Sequence, residues 1–211
     1  MSELRGLLVD YGGVLTNPLT ETVGDWLRAD GIDPSRFTDL MRRWLATGAE
    51  RNAVHDLETG RISTADFERL LAAELAGPDG VVPAHKGILT RMFAGFRPDV
   101  GMLDVVRKTR AAGIRTGLLS NSWGFDYPRE GWDALFDIVV ISGEVGLRKP
   151  DPEIYALAAD RLGLPPEAIV FVDDLGPNVG AATEAGMVGV RHSALEQTVE
   201  ELERLFGLAL R

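Results

Sequence analysis

Beyond residue 98 the chain alternates short apolar runs with helical stretches, and this alternation restricts the possible folds more than any other feature. The runs at 115–119, 137–141, 168–172 and 188–190 read as strands, and residues 100–112, 152–162, 178–185 and 194–206 read as helices. Gly113, Gly163 and Gly186 stand where three of those helices should stop. A further run at residues 4–9 supplies an N-terminal strand. Strands alternating with helices require an α/β fold: a parallel sheet with helices on both faces.

The stretch from 19 to about 92 breaks the alternation. It holds no strong strand pattern, and its apolar residues recur at helical spacing, as in Val23, Trp26 and Leu27 or Phe67, Leu70, Leu71 and Leu75. Asp33-Pro34 and Ser63 with Asp66 read as helix starts, and Gly31, Gly48 and Gly60 as breaks. A helical block is therefore inserted between the first strand and the rest of the sheet. The expected division is an α/β core at 1–16 and 97–211 and a helical unit at 17–96. Trp26, Phe37, Trp44 and Phe67 should form the core of that unit, with one of them a candidate to face a ligand. Arg36, Arg42, Arg43 and Arg51 are expected on its solvated face.

In parallel sheets of this kind ligands bind beyond the C-terminal ends of the strands. The polar residues at those ends are Asp10, Ser120, Asn121, Asp173 and Asp174, and Lys149 precedes a helix in a nearby loop. Taken singly, each has a plainer reading. An Asp beside glycines forms turns, an Asp-Asp pair caps a helix, a loop lysine is a solvated charge, and Ser-Asn is a turn former. Their convergence on one edge points to chemistry. Three carboxylates without a soft ligand suit a hard cation, Mg2+, held partly by water. A lysine and a small hydroxyl beside it suit a phosphoryl group, and Asp10 is placed to attack phosphorus. Trp123, Phe125 and Tyr127 follow closely enough to line a pocket mouth.

Composition removes other classes. The 211 residues carry no cysteine, which excludes disulfides, thiol catalysis and zinc-thiolate sites. The net charge of −10 argues against a general nucleic-acid binder, and it leaves local cations or a metal to hold any anionic substrate. The N-terminus lacks the pattern of a signal peptide, and no stretch approaches the roughly 18 apolar residues of a membrane helix. A soluble cytoplasmic protein acting on a small molecule is expected, with no feature bearing on oligomeric state. His55, His85 and His192 are scattered, without ligand spacing.

Four motifs carry a resemblance: Val9-Asp10-Tyr11-Gly12-Gly13-Val14-Leu15, Leu119-Ser120-Asn121-Ser122, Arg148-Lys149-Pro150-Asp151-Pro152 and Val172-Asp173-Asp174-Leu175-Gly176-Pro177-Asn178. In this order the chain resembles the haloacid dehalogenase-like hydrolase superfamily over nearly all its length. The phrases Leu57-Glu58-Thr59-Gly60-Arg61-Ile62-Ser63 and Glu144-Val145-Gly146-Leu147-Arg148-Lys149-Pro150 resemble the branch with the phosphatase domain of soluble epoxide hydrolase and bacterial sugar-phosphate phosphatases. The resemblance implies a Rossmann-like core with a helical cap and a Mg2+-dependent phosphatase of a small phosphorylated metabolite. It implies Asp10 as nucleophile and metal ligand, the Gly12 carbonyl and Asp174 as further ligands, and Asp173 reached through water. Ser120 and Asn121 would bind the phosphoryl group, Lys149 would steady it, and Asn178 would close the fourth motif.

Gly12 departs from the pattern, because most phosphatases of the family carry Asp there. Along an extended segment, position 12 faces the same way as position 10. An acid there would protonate the leaving oxygen, help typically worth about 10²–10⁴-fold. A slow or selective phosphatase is expected, with acyl or aryl phosphates least affected. Two other readings are a binding module without turnover and, against the Asp173-Asp174 pair, a metal-free 2-haloacid dehalogenase.

Overall fold

The structure is a computed structural model that describes residues 3–45, 52–77, 80–124 and 126–211. Gly48, Arg51 and Phe125 lie outside the described residues. Five strands form one parallel sheet: β1 (Gly6–Val9), β2 (Arg115–Ser120), β3 (Ile138–Ile141), β4 (Ile169–Asp173) and β5 (Val188–Arg191). Their order is β3-β2-β1-β4-β5, with ends shifted by a residue or two from the apolar runs. Leu7 and Val9 of β1 pack with Leu118, Val170 and Val172 on one face. Leu8 packs on the other with Leu119, Ile169 and Phe171. Because both faces are covered, alternating side chains are all apolar, and each strand reads as an unbroken run.

Between β1 and β2 lie α1 (Leu19–Ala29), α2 (Pro34–Trp44), α3 (Ala53–Glu58), α4 (Thr64–Glu74) and α5 (Ile88–Met92). The expected starts are real caps. The Asp33 carboxylate accepts from the Ser35 N–H at 2.8 Å, and Ser63 Oγ accepts from the Asp66 N–H at 3.1 Å. Gly31 and Gly60 have left-handed φ of 66° and 69°, as the breaks require. This insert has its own apolar cluster, with Trp26 and Phe67 inside it and Phe37 and Trp44 packed against it. None of these four lines the cavity beside Asp10.

After the insert come α6 (Val100–Ala111), α7 (Ser142–Val145), α8 (Pro152–Leu162), α9 (Gly176–Glu184) and α10 (Leu195–Phe206). Helices α6 and α10 cover one face of the sheet, while α8 and α9 cover the other. Two details differ from expectation. Helix α9 starts at Gly176 rather than at 178, because Pro177 suits a first turn, which needs no N–H. The segment after β3 closes into the single turn α7, ended by Gly146 at φ 71°.

The chain enters and leaves the insert at one place. Thr16 and Pro98 form an antiparallel bridge. The Asn17 N–H donates to the Arg97 carbonyl at 3.0 Å, and the Arg97 N–H donates to Asn17 Oδ1 at 2.8 Å. At its far side the insert rests on α7. Ser142 Oγ donates to the Glu58 carbonyl at 2.5 Å. A Cβ on Gly60 would lie 2.9 Å from the Gly143 carbonyl oxygen, so the two backbones touch.

Candidate active site

Strand order decides where the polar residues meet. β1 is central, β2 and β4 flank it, and the chain reverses its direction of travel across the sheet between β1 and β4. Asp10 leaves β1 with its N–H still bonded to the Val172 carbonyl at 2.9 Å. The chain then turns sharply, with the Leu15 N–H on the Tyr11 carbonyl at 2.9 Å and the Gly13 N–H on Thr16 Oγ1 at 3.1 Å. Gly13 has φ 75°, and a Cβ there would lie 2.6 Å from Asp174 Oδ2. Glycine is needed twice over, for the backbone angle and for the approach of Asp174.

Lys149 ties the strand ends together. It is 1% exposed, with Nζ 2.8 Å from Asp10 Oδ1 and 2.7 Å from Asp173 Oδ2. The loop that carries it is held by Asn121. The Asn121 amide donates to the Lys149 carbonyl and accepts from the Lys149 N–H, both at 2.9 Å. The side chain of Asn121 therefore positions Lys149, a task that the sequence reading did not assign to it. Asp173 is fully enclosed, accepting from the Leu175 N–H at 2.8 Å and from Asn178 Nδ2 at 3.0 and 3.1 Å. Of the three aspartates, Asp10 and Asp174 line the cavity, while Asp173 sits behind Lys149. Ser120 Oγ sits 3.0 Å from the Tyr127 hydroxyl.

The electrostatics are unbalanced. Three carboxylates share one ammonium, and each offers an oxygen within 4.8 Å of the others. Burial pushes the Asp10 carboxyl up to about 7, against the pull of Lys149. Burial, with the neighbouring Asp173 charge, pushes Asp174 up to about 6. Burial also disfavours the Lys149 charge, but Asp10 and Asp173 outweigh it and hold the ammonium above its usual range. A set of hard oxygens carrying more negative charge than its one lysine can match fits a divalent hard cation.

A cavity of about 250 Å³ opens on this cluster. Asp10, Gly12, Ser120, Asn121, Lys149, Asp174 and Asn178 line it from the sheet. Facing them are Phe93 and Phe96 from the end of the insert, with Trp123 and Tyr127. Sequence reasoning placed Trp123 and Tyr127 near the mouth but missed Phe93 and Phe96, whose only local signal is their spacing of three. It also missed Glu58, which lines the same cavity and is bonded to Arg148 Nε at 2.6 Å and to Trp123 Nε1 at 3.1 Å. Of the arginines, Arg42 and Arg43 pair on the surface with Asp39 and Glu74, and Arg36 donates to the Ala76 carbonyl. His192 Nδ1 lies 2.9 Å from Thr198 Oγ1.

Comparison with known proteins places this constellation. A model of the haloacid dehalogenase-like hydrolases matches residues 4–186. The Glyceraldehyde 3-phosphate phosphatase of Methanopyrus kandleri is 36% identical over 83% of this chain and 73% of its own length. The Sesquiterpene phosphatase astK of Aspergillus oryzae is 28% identical over 96% of this chain and 97% of its own. Bifunctional epoxide hydrolase 2 of Sus scrofa is 27% identical over 98% of this chain, which spans only 40% of that longer protein. A HAD family enzyme from Bacteroides thetaiotaomicron, crystallised with magnesium and inorganic phosphate, superposes with a TM-score of 0.66. That likeness, at 22% identity over 90% of this chain and 95% of the other, concerns the fold. With its parallel sheet, inserted helical cap and strand-end aspartates, the chain belongs to the haloacid dehalogenase-like hydrolases.

Proposed function

We propose that this chain is a Mg2+-dependent phosphatase of a small phosphate monoester, with Asp10 as nucleophile. The observation that carries the reading is the Lys149 bridge between Asp10 and Asp173, with Asp174 beside it on the cavity floor. Relatives named as phosphatases, and a structural neighbour crystallised with magnesium and phosphate, support it.

Each residue has a task in this reading. One Asp10 oxygen is held by Lys149, and the other attacks phosphorus. The bond from phosphorus to the ester oxygen breaks, and that oxygen leaves with the electron pair. With Gly12 in place of an acid, it takes its proton from solvent. Water then attacks the aspartyl-phosphate, releasing phosphate and restoring the carboxylate. Lys149 and the Ser120 hydroxyl hold the phosphoryl oxygens, and Asn121 holds Lys149. Asp10, Asp174 and the Gly12 carbonyl, with Asp173 through water, would hold Mg2+, which would supply charge neutralisation at the phosphoryl oxygens. Residues 17–96 act as the cap domain that closes the cavity over the core formed by 1–16 and 97–211.

Incubation with an aryl phosphate and Mg2+ tests this. Phosphate release that needs Mg2+ and disappears in Asp10→Asn supports the reading. Gly12 favours one second reading, a module that binds phosphorylated ligands without turnover. Binding of a phosphate analogue with no release from any ester would select it.

A further inference from the structure

We infer that the organic part of the substrate is apolar and uncharged; the inference rests on the phosphatase reading above and narrows it. The wall opposite the carboxylates is aromatic. Phe93 and Phe96 stack with centroids 5.2 Å apart, Phe93 meets Trp123 edge-on at 6.2 Å, and Tyr11 meets Phe96 edge-on at 6.2 Å. This wall reaches the reacting end, because a Cβ added to Gly12 would meet the Phe96 ring at 3.8 Å. Where other members of the family carry an acid, this cavity has the Phe96 ring within van der Waals reach of the Cβ position.

The indole N–H of Trp123, the Glu58 carboxylate and the Tyr127 hydroxyl in that wall already have partners, which leaves the exposed Thr20 as the other polar side chain from the insert. Trp123 Nε1 donates to Glu58, whose other oxygen accepts from Arg148, and the Tyr127 hydroxyl lies against Ser120. A polyhydroxylated substrate would bury hydroxyls facing rings, and each unpaired one costs affinity. Among the described residues Lys149 is the only cation lining the cavity, and both carboxylates within its reach already hold it. Glu58, the acid in the wall, is itself held by Arg148 and Trp123 and offers no cation to a second anionic group. At the rim, Leu19 and Leu175 also line the cavity while remaining 40% and 54% exposed. Large aliphatic side chains left in water at a pocket mouth extend the apolar track outward.

A series of para-alkylphenyl phosphates tests this, because the leaving-group acidity stays nearly constant while apolar surface grows. The expected result is a rise in kcat/KM of about two- to fourfold per methylene until the cavity is filled. Phe96→Ala should flatten that rise. In parallel, calorimetric binding of methyl-, butyl- and 4-hydroxybutylphosphonate to the wild-type protein with Mg2+ needs neither turnover nor a variant. Butylphosphonate should bind at least tenfold more tightly than the hydroxylated analogue. A flat series, or tighter binding of the hydroxylated analogue, overturns the inference and leaves the phosphatase reading intact. Absence of Mg2+-dependent release from every ester overturns the phosphatase reading, while the phosphonate order still decides the polarity of the site.

Discussion

At the sheet end of the cavity the polar groups are tied down by three strands and two loops, whereas at the insert end the wall is aromatic. The sheet end concentrates charge that its single lysine cannot neutralise, and burial holds Asp10 and Asp174 well above the usual carboxylate range. The insert end carries one acid, Glu58, already paired with Arg148. The contrast separates two kinds of work. Attack on phosphorus needs fixed charges and hard ligands, and the sheet supplies them from rigid strand ends. Help for the departing group needs a proton donor, and Gly12, with the Phe96 ring beside it, supplies none.

The sharpest way to break this contrast is to remove the nucleophile. Asp10→Asn should cut Mg2+-dependent phosphate release about 10³-fold or more. A loss under tenfold, read in a phosphate-release assay, would mean that the sheet end does not carry the chemistry. Lys149→Met leaves two buried carboxylates, Asp10 and Asp173, and the half-buried Asp174 with no ammonium among them. Removing one partner from a buried charge cluster costs about 3–5 kcal/mol, and urea denaturation without metal should show it. A cost below about 1 kcal/mol would mean that the cluster is wetter than its burial implies.

The departing group's side is tested by adding what position 12 lacks. Gly12 has an ordinary backbone conformation, and a Cβ there would make only van der Waals contact with the Phe96 ring at 3.8 Å, so Gly12→Asp should fold. It should raise hydrolysis of alkyl phosphates by about 10²-fold, and of aryl phosphates much less. Equal gains on both ester types, with chemistry rate-limiting, would refute the leaving-group argument.

A smaller effect concerns pH. Asp10 and Asp174 titrate near 7 and 6 in the folded chain, against an ordinary value of 3.8. Between about 4 and 7 the folded state holds protons that the unfolded state has released, so metal-free stability should fall as pH rises through that window. Mg2+ must displace those protons, so its stabilisation should grow over the same range. Thermal melts with and without Mg2+ at pH 5.5 and 8 check this. A Tm shift that is larger at pH 5.5 would reverse the sign and exclude the two carboxylates as the metal site.

The two ends also differ in how far the sequence reveals them. The sheet was legible because strands buried on both faces are continuous apolar runs, and each delivers its last polar residue to the same edge. Asp10, Ser120, Asp173 and Asp174 could be placed by that rule alone. Contacts made across long separations leave no local pattern. The Asn121 amide serves the backbone of Lys149, 28 positions away, and Glu58 meets Arg148 across 90. Phe93 and Phe96 carry no local mark of a site, and only the fold brings Phe96 against Gly12 with Phe93 stacked on it. Of the four aromatics expected inside the insert, Trp26 and Phe67 lie in its core and Phe37 and Trp44 pack against it, because helical spacing reports burial without saying which ring borders a cavity.

The paired crossing at Thr16–Pro98 and Asn17–Arg97 bears on how this chain can change over time. The insert begins and ends at one pinned point, so its loop is already closed, and lengthening it adds only a slowly growing entropic cost. The neck fixes where β1 ends and where α6 begins, whatever lies between them. A change in the length of chain between the crossings should leave these pairs, and with them the exit of β1 at Asp10, in place. Diversification of such a chain can thus proceed in the wall facing the ester while the carboxylates stay in register.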